Sequence, residues 1–227
     1  QSVGVDEGLA LVLARAEQAL LDMHHEGGYW CAELQGDSIL ASEYILLRFF
    51  LDQGSDPDLV LIANHLRALQ QPDGGWSMYP GGSNDLSGTV KAYFALKLMG
   101  DDPEAVHMRL ARDQVLALGG AEQCNSFSKF YLAALGQISY DACPSIPPEV
   151  VLLPKFLYFH LYAMSAWSRT MILPLAIVSS LRPVRHVPAH LGIQELIKDP
   201  KAANSPMGRL KSLPRSWREF FLLLDLT

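Results

Sequence analysis

Two stretches 46 residues apart repeat one another, and that repeat limits the folds open to the chain. Glu26-Gly27-Gly28-Tyr29-Trp30 returns as Pro72-Asp73-Gly74-Gly75-Trp76. Each copy follows a helical pattern and precedes a polar stretch and then an aromatic-bearing helix. The first such helix holds Ser42, Glu43 and Tyr44; the second holds Thr89 to Tyr93. A degraded third copy begins at Gly119-Gly120-Ala121, ahead of Phe130 and Tyr131. A unit of this size with two helices cannot bury its apolar face alone. Neighbouring units must stack, as a solenoid or as a closed α/α barrel.

The rest of the pattern is helical too. Leu9, Leu13, Ala16 and Leu20 recur at helical spacing. Further helices are expected over 42–51, over 58–69 with Pro57 at its start, over 89–99 closed by Gly100, over 103–118 closed by Gly119 and Gly120, and over 126–135. No alternating run suggests a strand and no βαβ rhythm occurs, so an all-α fold is expected. From Asp199 to Arg215 the chain is rich in Pro, Asn, Ser and basic residues and reads as a loop. An apolar helix begins at Trp217. It runs to Thr227 without a cap, and the first residue is Gln1, which together read as a piece of a longer protein.

Composition removes several functions. Hydrophobic residues make up 49% of the 227, enough for a core and too many for disorder. A net charge of -6 argues against a nucleic-acid partner and leaves membrane contact open. The most apolar region, 150–181, is broken by Pro154, Lys155, Arg169 and Pro174, so no piece reaches the roughly 20 uncharged residues of a spanning helix. The three cysteines, Cys31, Cys124 and Cys143, are widely spaced and read as reduced, mostly buried thiols. His24 and His25 have no metal-ligand spacing, and no HExxH, GxSxG, phosphate-loop or dinucleotide motif occurs. No cofactor or metal is expected.

The sharpest signal is Gln71-Pro72-Asp73-Gly74-Gly75-Trp76, which resembles the QW motif of the triterpene cyclases. Its logic is physical. The glycines allow positive φ after a helix, a Gln side chain can bond exposed backbone groups at helix ends, and the Trp covers the joint. Prenyltransferase β-subunits carry relatives of the motif, so the flanking residues matter. Met78-Tyr79-Pro80-Gly81-Gly82 with Asp85-Leu86 and Lys91 to Lys97, the helix at Glu43 to Leu47, the turn Ile146-Pro147-Pro148-Glu149 and the helix at Ser165-Ala166-Trp167-Ser168-Arg169 all resemble squalene–hopene cyclases. The resemblance runs from about Leu9 to Leu224 and is to the N-terminal portion of that family.

That resemblance implies an incomplete α/α barrel built from QW-type two-helix repeats. Residues 1–25 would be the N-terminal helix of the catalytic barrel and 26–227 part of a second, inserted barrel. It implies cationic polycyclisation of squalene or a similar polyprenoid to hopene-type triterpenes, begun by the aspartate of a DxDD motif. The sequence contains no DxDD, so no catalytic residue is assigned. A C-terminal half carrying DxDD is the implied partner, and the chain alone is expected to be inactive. Trp167 and Phe127 take the places of cavity-lining aromatics. Met164 and Ile172, eight residues apart and so able to share a helix face, take those of the channel constriction. Gln71, Gly74, Gly75 and Trp76 are structural, and the Pro-Pro-Glu turn would be buried. Trp217, Phe220, Phe221 and Leu224 would face a membrane, placing the protein in the cytoplasm, bound monotopically to the inner membrane. A homodimer is left open. Asp56, Asp58, Asp101 and Asp102 read as structural acids near helix starts, and Arg169 as one half of an ion pair. Two other readings stay open: a non-catalytic α/α-barrel module binding isoprenoid lipid or a partner chain, and a class II diterpene cyclase fragment. The Pro-Pro-Glu turn and the Trp167 helix favour the squalene–hopene type over the latter.

Overall fold

The computed structural model describes residues 3–31, 37–144, 146–157 and 160–204. The chain divides into two compact units, Gln1–Gln35 and Gly36–Thr227. Among the described residues all regular structure is helical, and extended backbone pairs only in two isolated bridges, His24 with Trp30 and Ser77 with Asn84. The fold is all-α, as the periodicity requires.

The first unit is helix α1 (Val3–Asp22) and the turn that closes it. Gly28 takes a left-handed φ of 85°. The amide of His25 donates to the Tyr29 carbonyl at 2.9 Å, and the Trp30 indole donates to the Leu20 carbonyl ten residues back.

The second unit carries α2 (Ser38–Phe50), α3 (Asp58–Leu69), α4 (Leu86–Leu98), α5 (Val106–Ala117), α6 (Ser126–Ala134), α7 (Ala166–Leu181) and the short α8 (Pro200–Asn204). Helices α2 and α4 begin three to four residues earlier than apolar spacing suggests, because acidic caps start them. Asp37 accepts from the Ile39 amide at 2.9 Å, and Asp85 accepts from the Gly88 amide at 2.6 Å. Asn125 caps α6 in the same way through the Ser128 amide.

Helix α4 is the centre of this unit. It packs against α2, α3 and α5, and every residue from Ser87 to Leu98 is buried. A helix buried on all sides should be apolar all round, yet Lys91 and Lys97 lie inside it. Both are matched. Lys91 donates to Glu43 of α2 at 2.5 Å, and Lys97 pairs with Glu195 and bonds the Gly192 carbonyl.

After α7 the chain runs without long helices from Arg182 to Asp199 and is tied back along its length. Pro183 accepts from the Tyr140 hydroxyl at 2.7 Å. The Ile193 amide donates to Gln137, and the Asp199 amide donates to Glu122 at 2.7 Å. Two expectations need correction here. The loop predicted from Asp199 begins with a helix, α8, whose Lys201 amide is bonded by the Asp199 carboxylate. The Pro-Pro-Glu turn is not buried: Pro148 and Glu149 are exposed at the start of the 3-10 turn Pro148–Leu152.

Candidate functional site

The joint at Gln71–Trp76 is built as the motif predicts, with one reassignment. Gly74 has φ 95°, and a Cβ there would lie 2.4 Å from Cβ of Leu110 and 2.5 Å from its carbonyl carbon, so α5 can approach only a glycine. A Cβ on Gly75 would meet the Asn84 carboxamide, which bonds Asp73 at 2.8 Å. Trp76 is fully buried, and its indole donates to the Leu66 carbonyl at 2.9 Å, one of the orphan acceptors at the end of α3. The Gln71 side chain bonds the Gly82 carbonyl, within the following loop. It is Gln70 that bridges elements, donating to the carbonyls of Gly74 and of His107 in α5. The adjacent Gln pair was the available signal.

The sequence repeat is a repeat of hydrogen bonds. Gln71 amide to Gly75 carbonyl at 2.9 Å, positive φ at Gly74 and indole to carbonyl ten residues back reproduce His25 to Tyr29, Gly28 and Trp30 to Leu20. In the third copy Gly120 has φ 94°, and Glu122 stands where the Trp would be. Buried to 2% exposure, its carboxylate accepts from the amides of Lys198 and Asp199. The third joint is thus tied by a carboxylate instead of an indole.

Between α2, α6 and α7 lies a pocket of about 280 Å³. Leu46, Phe50, Phe127, Phe130, Tyr131 and Leu175 are among its walls, and every lining side chain is a hydrocarbon except at the Tyr131 hydroxyl. That hydroxyl donates to Glu43 at 3.0 Å, and Glu43 also holds Lys91, so one carboxylate serves a phenol and a buried ammonium. Burial first, and then Glu43, pushes the Tyr131 phenol up to about 12. The phenol therefore stays a neutral donor at ordinary pH. Such a pocket can take an apolar chain; it holds no group able to protonate an alkene.

Phe127 lines this pocket and is half exposed. Trp167, in the first turn of α7, does not line it and is 73% exposed. Met164 and Ile172 are both half-buried, but the helical-face argument linking them fails. Met164 precedes the cap Ser165 in extended backbone, outside α7. Arg169 donates to the Met164 carbonyl at 2.7 Å and forms no ion pair among the described residues, so it fastens that segment to the helix. Trp217, Phe220, Phe221 and Leu224 lie outside the described residues.

The acids near helix starts are structural. Asp56 receives the Asp58 amide and pairs with Arg48. Asp101 pairs with Arg67 and His107; burial alone would raise it, but those two donors prevail and hold the carboxyl below its ordinary value. Glu195 is likewise lowered against its burial by Lys97 and Tyr93. Among the described residues no cluster of His, Cys, Asp and Glu has the makings of a metal site, and no helix is long and apolar enough to cross a membrane.

Comparison with known proteins decides the family. The model of the squalene-hopene cyclase N-terminal domain matches residues 13–227. The chain belongs to the squalene–hopene cyclase family. It is 37% identical over 220 residues to the squalene–hopene cyclase of Zymomonas mobilis, covering 94% of this chain and 32% of that protein. It is 42% identical over 216 residues to the probable squalene–hopene cyclase of Sinorhizobium fredii, covering 94% and 33%. A fungal relative, the squalene-hopene cyclase of Schizosaccharomyces japonicus, is 40% identical over 195 residues. The chain spans about a third of the length of the curated relatives it matches. For a squalene–hopene cyclase N-terminal region, the residues that sequence reading missed are polar: Glu43, Lys91, Glu122 and Glu195. A lysine inside an apolar helical run was the signal, since a buried ammonium demands a carboxylate.

Proposed function

We propose that this chain supplies part of the hydrocarbon cavity of a squalene–hopene-type cyclase, in which squalene or a similar polyprenoid folds and cyclises through cations to hopene-type triterpenes. The observation that carries the reading is the pocket between α2, α6 and α7, aromatic and free of acids, in a chain of this family. Aromatic faces stabilise a passing cation by up to about 2 kcal/mol when water is excluded. In this reading the helices form part of an α/α barrel, with 1–25 belonging to the catalytic barrel and 26–227 to the inserted one. Phe127 faces the substrate from this pocket and Trp167 from the exposed start of α7, outside it, and Met164 and Ile172 narrow its entry. The acid is a DxDD aspartate on a C-terminal part, and the completed enzyme is an isomerase bound monotopically to the inner membrane from the cytoplasm, with Trp217, Phe220, Phe221 and Leu224 at the lipid.

The test is to join the chain to the downstream two thirds of the Sinorhizobium relative and supply squalene. Pentacyclic product is expected from the fusion and none from the chain alone, read by mass spectrometry. Trp167→Ala in the fusion should shift product toward incompletely cyclised species. Hopene from the isolated chain, or an unchanged profile in the Trp167→Ala fusion, would overturn the respective parts of the reading.

A further inference from the structure

Helix α7 has apolar residues on two sides, and only one of them is covered by the described residues of the unit. Leu175 and Val178 face the pocket. Thr170, Leu173, Pro174, Ile177 and Leu181 recur at three- and four-residue steps and are all exposed, Leu181 by 74%. The turn Pro148–Leu152 packs against α7 and carries exposed apolar residues of its own. Leu152 is 77% exposed and Phe156 85%. Exposed apolar side chains grouped on two packed elements in this way mark an interaction site.

We propose that this face, Leu152 and Phe156 with Ile177 and Leu181, is the seam on which the remaining two thirds of the cyclase docks. The inference rests on the reading above, and it names where the two parts meet. Two observations choose the occupant. The chain spans only about a third of its relatives' length, so far more protein than this unit has to be accommodated. The charge around the face does not suit an anionic bilayer, which calls for several free basic groups. Arg182 pairs with Asp141 and Arg185 with Asp52, which leaves only Lys155, over the Tyr162 ring, and Arg169, bonded to the Met164 carbonyl, without a carboxylate among the described residues.

The test places single cysteines at Leu152, Phe156 and Leu181 in a Cys31→Ser background and measures maleimide labelling. Leu61→Cys on α3, an exposed position away from the seam, is the control. Labelling at the three sites is expected to be at least ten times slower in the fusion with the Sinorhizobium two thirds than in the free chain, with the control unchanged. Equal rates in a fusion that cyclises squalene overturn the seam and leave the cavity reading standing. Slow labelling in a fusion that makes no triterpene supports the seam and overturns the cavity reading. Protection of the free chain by phosphatidylcholine–phosphatidylglycerol vesicles, or protection that grows with its own concentration, assigns the face to lipid or to a second copy and overturns the proposal.

Discussion

Replacing Gly74 by alanine separates two costs that usually travel together. The residue sits at φ 95°, and its missing Cβ leaves room for Leu110, whose Cβ and carbonyl carbon would be 2.4 and 2.5 Å away. A left-handed conformation costs a residue with a Cβ about 1–2 kcal/mol. Forcing a methyl into packed backbone adds about 1–3 kcal/mol, because a helix has to move. Gly81 provides the reference: its φ is 76°, but nothing lies within 4 Å of the Cβ position, so Gly81→Ala carries the first cost alone. At roughly 2–4 °C per kcal/mol for a domain of this size, Gly74→Ala should lower Tm by about 4–20 °C and Gly81→Ala by about 2–8 °C, with the Gly74 shift the larger by the packing cost. Calorimetry of both variants measures the difference. Equal shifts would mean that α5 gives way at no cost, and the account of the joint as a fixed close approach would be wrong.

Three other consequences can be measured. Glu43→Gln strands the buried Lys91 and should cost on the order of 3 kcal/mol, whereas the double change with Lys91→Met should recover most of it; urea unfolding of both decides. Burial pushes Tyr131 and Tyr140 up to about 12. An unfolded tyrosine titrates near 10, so the folded state holds these protons longer, and their stabilisation is complete below about pH 10 and lost toward pH 12. Tyr131→Phe should flatten that alkaline decline, and an unaltered pH profile would refute the assignment. Burial also pushes the Cys124 thiol up to about 12, and Cys143 is buried while Cys31 is exposed. A thiol reagent should therefore find one fast cysteine in the native protein and three after denaturation.

What could be read in the sequence was whatever local chemistry dictates. The Gly-Gly-Trp joint and the helices at 58–69 and 126–134 follow from turn residues and apolar spacing, which act over a few positions. Helix starts were misplaced where a side-chain cap lay ahead of the apolar run, as at Asp37 and Asp85. Pairings across long separations were not legible. Nothing near Glu195 says that Lys97 will reach it, or that Glu122 will bond the backbone at Asp199. The candidate site divides in the same way. Phe127 falls on a pocket because α6 is amphipathic, but Trp167, in the first turn of α7, lies outside that pocket and is exposed.

The two buried lysines of α4 give the unit its register. An apolar helix packed on every side is held by shape alone, because hydrocarbon contacts have no direction of their own. A buried ammonium cannot move from its carboxylate without leaving an unpaired charge, a loss of about 3–5 kcal/mol. Lys91 is held to Glu43 in α2, before it in sequence, and Lys97 to Glu195 in the returning segment, long after it. Six positions apart on one helix, the two pairs fix both its rotation and its height. Because Glu43 also holds Tyr131 at the pocket wall, the contact that sets the register of α4 also sets the shape of the hydrocarbon surface. Selection for a defined cavity would then act on charged residues that never touch its contents.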